Sequence, residues 1–271
     1  MLNLKEIKPI KRLGQVFLIK KIYLKKIANN AKVSKEDIVL EVGPGTGNLT
    51  IELAKKVKKV IAVEKDKRMC DILKEILAKE KIKNVEIVNQ DILQFLKKPF
   101  HFYPFKVVAN IPYYITSRLI RDFLELKKKP KLIVLLVQKE VAERICAKPP
   151  FSNLLAISVQ FFSFPKIISF VPKEAFWPKP KVDSAILKIV PRKEKIIKNE
   201  KLFFKIVKAG FFQPRKTILN NFVISLKIDK IEIERWLKVS KIEKQKRPSQ
   251  LYLKDWLSLF ENCNFVFKNL K

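Results

Sequence analysis

The run Ile38-Val39-Leu40-Glu41-Val42 ends in Gly43-Pro44-Gly45-Thr46-Gly47 and passes at once into a helix-like stretch, Leu49 to Val57. A strand, a glycine turn and a helix in immediate succession narrow the choice of fold sharply, because the helix must return over the strand and the next strand must lie parallel to it. The alternation then continues. A strand Val60–Val63 ends in Glu64, and a helix over about 67–78 follows. Next come a strand Val85–Asn89, a strand Lys106–Ala109, a helix Ser117–Leu126 and a strand Leu132–Gln138. These strands are apolar throughout rather than alternating, as expected of a parallel sheet covered on both faces. Upstream, Ile22, Leu24, Ile27 and Ala28 fall at helical spacing between Lys21 and Ala31. Two later apolar runs, Leu155–Phe162 and Ala185–Val190, are expected to close the sheet edge as an antiparallel pair. After a charged linker, Arg192 to Lys201, the patterns are helical. The expected organisation is a Rossmann-like α/β domain over residues 1–194 and a small helical domain over 195–271.

The glycine turn suggests a ligand lying close to backbone at Gly43, Gly45 and Gly47. Two carboxylates strengthen that reading. Glu64 ends the second strand, where an acidic side chain can accept from both hydroxyls of a ribose. Asp91 follows the third, placed to accept from an adenine amine. Each alone is equally a helix cap or a surface charge; together they indicate an adenosine-bearing cofactor. The turn reads GxGxG rather than GxGxxG, which fits a dinucleotide poorly and suits a ligand without a pyrophosphate.

The fourth strand ends in Asn110-Ile111-Pro112-Tyr113. An adenine amine is a poor nucleophile because its lone pair is delocalised into the ring. The Asn110 side-chain carbonyl and the Ile111 backbone carbonyl can hold its two hydrogens, Pro112 can stiffen the turn, and Tyr113 can stack on an extruded base. Such a site works by positioning and electrostatic preorganisation, with neither metal nor general base.

These segments, with LGQVFL near the N-terminus, EVGPGTGNLT, NIPYYIT, LLVQKEVAERI, FWPKPKVDSA, FFQPRKTILNNF and RPSQLYLKDWLSL, resemble the ribosomal RNA adenine dimethyltransferases from end to end. The likeness is to the members that modify two adjacent adenosines in the 3′-terminal hairpin of small-subunit (16S) RNA. It implies S-adenosylmethionine as cofactor, held by Leu18, Gly43, Glu64, Asp91 and Asn110. It also implies an acceptor clamp from Asn110 to Tyr113, with Phe176 of FWPKP as a second aromatic face for the target base. One departure stands out: Val16 occupies a position that is usually Asn. The alternative is the sister group that methylates large-subunit (23S) RNA in macrolide resistance. It shares the glycine, NIPY and FxPxPKV motifs, but LGQ and QPRKTILNN favour the small-subunit type.

Fifty-eight Lys and Arg against 26 Asp and Glu give a formal charge of +32, which calls for a polyanionic partner. The expected RNA contacts are Lys11, Arg12, Lys20 and Lys21 in the basic N-terminal arm, Lys179 and Lys181 beside the FWPKP loop, and Arg215 and Lys216 in the first strongly helical part of the second domain. The implied partner is the immature small ribosomal subunit, met by a monomer. Three scattered cysteines, Cys70, Cys146 and Cys263, without CxxC spacing, argue for a reducing compartment and against a metal site. With no signal-peptide core and no long apolar run, a cytoplasmic protein is expected. His101, the single histidine, is assigned no role.

Overall fold

The computed structural model describes residues 9–10, 13–99 and 101–266. Contacts divide the chain into two compact units, one taking in the chain to Ala142 with Ser163–Pro191, the other Glu143–Phe162 with the chain from Arg192.

In the first unit the elements are β1 (Phe17–Leu18), α1 (Lys21–Asn30), β2 (Ile38–Val42), α2 (Asn48–Ala54), β3 (Lys59–Glu64), α3 (Lys67–Lys79), β4 (Val85–Asn89), α4 (Ile92–Phe95), β5 (Phe105–Asn110), α5 (Thr116–Glu125) and β6 (Ile133–Gln138). Next in the chain come α6 (Lys139–Cys146), whose residues from Glu143 fall in the second unit, and α7 (Leu154–Phe162), which belongs wholly to the second; the first unit then resumes with β7 (Ser163–Val171), β8 (Phe176–Trp177) and β9 (Ser184–Pro191). Seven strands form one sheet in the order β4-β3-β2-β5-β6-β9-β7. The first five run parallel, and β9 and β7 close the edge antiparallel. Strand order reverses between β2 and β5, and in open α/β sheets the crevice at the carboxyl ends of such a pair is where ligands bind.

The parallel strands are buried as their apolar sequences require; Ile133 to Val137 are fully covered. On one face Leu24, Ile27 and Ala28 of α1 and Leu49 and Leu53 of α2 pack with Val108, Val134 and Ile186 of the sheet. Asp66 caps α3 by accepting from the Arg68 amide.

The edge differs from expectation. Leu155–Phe162 is not a strand but lies in helix α7, capped by Asn153, whose Oδ1 accepts from the Ala156 amide. LLAISVQFF is apolar on nearly all sides, and so short a run has no periodicity to separate a buried helix from a buried strand. The strand that pairs with β9 is β7 instead, SFPKIISFV, with Lys166 opposite Lys188 and an irregularity between Ile167 and Ser169. Pro165 is tolerated because β7 is an edge strand.

The second unit adds α8 (Glu200–Gly210), α9 (Ile218–Leu226), α10 (Lys230–Val239) and α11 (Leu253–Glu261) to α7. It therefore includes Glu143–Phe162, a segment that the expected boundary near 195 left with the α/β domain. Its core holds Phe161, Phe203, Phe222, Trp236 and Trp256. Gly210 lets Trp256 close onto α8: a Cβ there would meet the indole at 2.4 Å, and that ring is fully buried. Gly210→Ala is expected to destabilise this unit by about 1–3 kcal/mol through overpacking, read as a lowered denaturation midpoint.

Candidate active site and RNA-contact surface

A cavity opens at the carboxyl ends of β2, β3 and β5, where the strand order reverses. Its wall includes Leu18 of β1, Glu41 of β2, Gly43 and Gly45 of the turn, Glu64 of β3 and Asn110 to Tyr114 after β5. Residues far apart in sequence, Leu18, Gly43, Gly45, Glu64 and Asn110 to Tyr113 among those expected at the site, are thus brought to one place.

The glycine turn does more than was expected of it. Gly45 and Gly47 take φ values of +54° and +78°, which only glycine adopts without strain. The close approaches there are made by the protein itself. A Cβ on Gly45 would lie 2.9 Å from the Phe17 ring, and one on Gly47 would lie 2.4 Å from Leu73 Cδ1. Phe17 in turn stacks on Trp177, centroids 6.2 Å apart, so β1 and β8 lie over the turn as a two-stranded flap. Leu18 is buried, and its carbonyl accepts from Asn48 Nδ2 at 3.1 Å.

Glu64 is 8% exposed. Its Oε2 accepts from the Gly45 amide at 3.2 Å and its Oε1 from the Asp66 amide at 2.9 Å. Burial raises its pKa, and these two amides hold the rise back. Four lone-pair directions leave a carboxylate tied in this way able to accept from ribose hydroxyls. Gln15 fastens the segment before β1: its Nε2 donates to Asp66 Oδ2 at 2.8 Å, and its Oε1 accepts from the Ile10 amide at 2.8 Å.

Asn110 donates from Nδ2 to the Val16 carbonyl at 2.9 Å, which fixes the amide plane and leaves Oδ1 for another donor. Because Val16 takes part through its backbone, a changed side chain at that position spares this bond. Ile111 is buried, and Tyr113 is half-buried with its hydroxyl 2.8 Å from Ser184 Oγ. Burial raises the Tyr113 pKa, with the Ser184 bond opposing. Tyr114 lies beside it, 62% exposed.

Three expected site residues do not line the cavity: Gly47, which backs onto Leu73, and Asp91 and Phe176. Asp91 caps α4 by accepting from the Leu93 amide at 2.9 Å, and its Oδ2 pairs with Lys65 Nζ at 2.9 Å. Burial raises its pKa, but the Lys65 and Leu93 bonds outweigh it and hold the carboxyl below its ordinary value. Lys65, not Asp91, lines the cavity. Phe176, expected to offer a free face to a base, is 3% exposed and packs in the core with Leu18 and Val171. The register places it opposite Leu18, so its ring braces the flap here.

Sequence reading passed over Glu41. It lines the cavity at 1% exposure, and Oε2 has no hydrogen-bond partner. Burial pushes its pKa up to about 8; the Thr50 hydroxyl opposes and the Glu64 charge adds to the rise. The available signal was an acid inside the otherwise apolar IVLEV, since an unpaired buried carboxylate is costly. Between the unfolded value of 4.5 and about 8 the unfolded chain holds fewer protons here than the folded one. Stability from this group is therefore full below 4.5 and falls as pH rises towards about 8. At pH 7 the penalty is on the order of 3 kcal/mol. Glu41→Gln is accordingly expected to melt at a higher temperature than wild type at pH 7, with the gap closing towards pH 5.

Among the expected RNA contacts, Lys20, Lys21, Lys181, Arg215 and Lys216 are exposed. Lys179 is exposed but paired with Glu174 at 2.7 Å. Lys11 and Arg12 lie outside the described residues. Arg215 and Lys216 sit not in a helix but in the loop between α8 and α9. Buried Asn221 ties that loop down: its Oδ1 accepts from the Gln213 amide at 2.6 Å, and its Nδ2 donates to the Gln213 and Thr217 carbonyls at 3.1 and 3.0 Å. The two cations are thus presented on a preorganised loop. Among the described residues there is no group of three or more His, Cys, Asp or Glu able to hold a metal, and no helix is long and apolar enough to cross a membrane.

Residues 8–264 match the family described as ribosomal RNA adenine dimethylase. A ribosomal RNA small subunit methyltransferase A from Dehalococcoides mccartyi (strain CBDB1) is 43% identical over 260 residues, covering 93% of this chain and 88% of the relative. Its counterpart in Bacillus licheniformis is 40% identical over 269 residues, 94% of this chain and 91% of the relative. Among solved structures, a dimethyladenosine transferase from Plasmodium falciparum superposes with a TM-score of 0.77 at 31% identity, over 92% of this chain and 97% of that one. A 23S rRNA methyltransferase superposes with a TM-score of 0.75 at 28% identity, over 91% and 98%.

Proposed function

The chain belongs to the ribosomal RNA adenine dimethylase family, and from that membership we propose that it dimethylates the N6 amines of two adjacent adenosines in the 3′-terminal hairpin of small-subunit RNA. The observation that carries the chemistry is the acceptor strand: Asn110, locked through Nδ2 to the Val16 carbonyl, stands beside Ile111 and Tyr113 in the wall of the cavity that Glu64 also lines. The relatives at 40–43% identity carry small-subunit names, and they outrank the large-subunit likeness at 28%.

S-adenosylmethionine fits the donor set of this cavity, and when bound it supplies an electrophilic methyl on a sulfonium with a neutral thioether as leaving group. Glu64 accepts from the ribose hydroxyls, and the backbone at Gly43 and Leu18 frames the ligand. Asp91 reaches an adenine amine only by sharing its Lys65 contact. Asn110 Oδ1 and the Ile111 carbonyl accept the two N6 hydrogens, drawing the nitrogen towards a tetrahedral form whose lone pair can attack. Tyr113 supplies one stacking face. Phe176 supplies the other once its ring is uncovered. The proton released by the amine passes to solvent, so no general base is required.

The substrate is held by Lys20, Lys21, Lys179, Lys181, Arg215 and Lys216, with Lys11 and Arg12 of the arm, and the protein acts as a cytoplasmic monomer on an immature small subunit. The chemistry is tested by digesting small-subunit RNA to nucleosides after reaction with labelled S-adenosylmethionine. N6,N6-dimethyladenosine is the expected product; label confined to other nucleosides would refute the acceptor assignment.

A further inference from the structure

At the end of the sheet away from the cavity, lysines from four separate segments converge. Val108, Val134, Lys188 and Lys166 stand in one row across β5, β6, β9 and β7, with Lys188 paired to Val134 on one side and to Lys166 on the other. Side chains in such a row share a face of the sheet, and so does Lys106, two residues before Val108. It is the face on which α1 and α2 pack over Val108 and Val134. Helix α1 stops at Asn30, and the turn after it brings Lys32 to the same place, where Lys106 Nζ donates to the Lys32 carbonyl. Lys32 and Lys166 are exposed, Lys188 is half-buried, and the Lys106 side chain is 13% exposed.

Like charges directly opposite each other across an antiparallel pair destabilise it. Among the described residues no carboxylate pairs with Lys166 or Lys188. The acid at hand, Asp37, is occupied: it accepts from Lys106 Nζ at 2.9 Å and from the Ser34 amide and hydroxyl at 2.7 and 3.0 Å. Burial, then the charges of Lys32, Lys166 and Lys106, lower the Lys188 pKa, so each of these influences works against an ammonium there. Several phosphates in a row would relieve that repulsion. The strip is also separate from the cavity, which none of these lysines lines. Lys106 is the second residue of β5 and Asn110 the last, about 13 Å apart along a strand.

We propose that Lys32, Lys166 and Lys188 form a second RNA-binding surface, which takes the phosphate backbone of small-subunit RNA outside the hairpin that enters the cavity. The inference rests on the proposed RNA substrate. Lys106 is a positioning residue: tied to Asp37 and to the Lys32 carbonyl, it fixes the turn that presents Lys32. Phosphate contacts carry no sequence information, so the strip contributes affinity and orientation, while the cavity selects the base.

The test is filter binding of the full-length protein and of Lys166→Ala/Lys188→Ala to unmethylated small subunits across a salt series, with hydroxyl-radical footprinting of the RNA backbone on the same particles. The double variant should flatten the logarithmic salt slope by about 2 and bind about 10–60-fold more weakly at 0.1 M salt. The backbone protections it loses should lie outside the 3′-terminal hairpin, while those within the hairpin and the affinity for S-adenosylmethionine persist. Lys166→Glu guards against a trivial loss of fold. It replaces a cross-strand repulsion with an attraction, so at low salt it should melt at or above the wild-type temperature and still bind small subunits more weakly. An unchanged slope in the double variant would overturn the proposal, as would wild-type binding by Lys166→Glu or lost protections confined to the hairpin. Failure of the wild-type protein to bind small subunits at any salt is a different result, and it would overturn the RNA reading itself.

Discussion

Asn110→Ala is expected to lower methyl transfer by about 10²–10³-fold at saturating RNA, the loss typical of removing one preorganised polar group aimed at the reacting atom. The side chain has two tasks that Ala cannot perform. Its Nδ2 holds the Val16 carbonyl at 2.9 Å, and its Oδ1 is left for the acceptor role proposed for it. RNA affinity should be nearly unchanged, because the residue lies in the cavity rather than among the exposed cations. Single-turnover rates and filter binding on the same preparation check the two halves. Equal losses in rate and RNA affinity would mean that Asn110 serves the fold and not the amine.

The second large effect is in salt. With a formal charge of +32, neutralisation of about 6–10 phosphates is a natural expectation, and affinity for small-subunit RNA should then fall by about 10³–10⁵ between 50 and 200 mM salt. Arg215 and Lys216 stand on a loop that Asn221 fixes from beneath, so their order is set before binding. Replacing both with Ala should weaken binding and flatten the logarithmic salt slope by about 2 if each meets one phosphate. A flat response in wild type would remove the electrostatic part of the account, and an unchanged slope in the double variant would remove these two contacts from it.

Much of this was legible in the chain because strand ends carry function in a parallel sheet. Val42, Glu64 and Asn110 each close a strand written as an apolar run, so the motifs that follow had to meet at one edge. The sheet's far edge was not legible. Pro165 and Lys166 disguise β7 as a loop, although an edge strand tolerates both, and the unbroken apolarity of LLAISVQFF hides whether it is helix or strand. Side-chain partners were harder still. Spacing placed Asp91 after β4 but could not show that Lys65 would engage it, nor that Phe176 would turn into the core opposite Leu18. Glu41 was hidden for the opposite reason, being read as part of a strand whose remaining members are apolar.

The most direct test of the central claim offers labelled S-adenosylmethionine together with unmethylated small subunits and large-subunit RNA, side by side, with the products mapped by mass. The account predicts dimethylation of two adjacent adenosines in the 3′-terminal hairpin of the small-subunit RNA and no label in the large. Label in large-subunit RNA, or in neither, would contradict it.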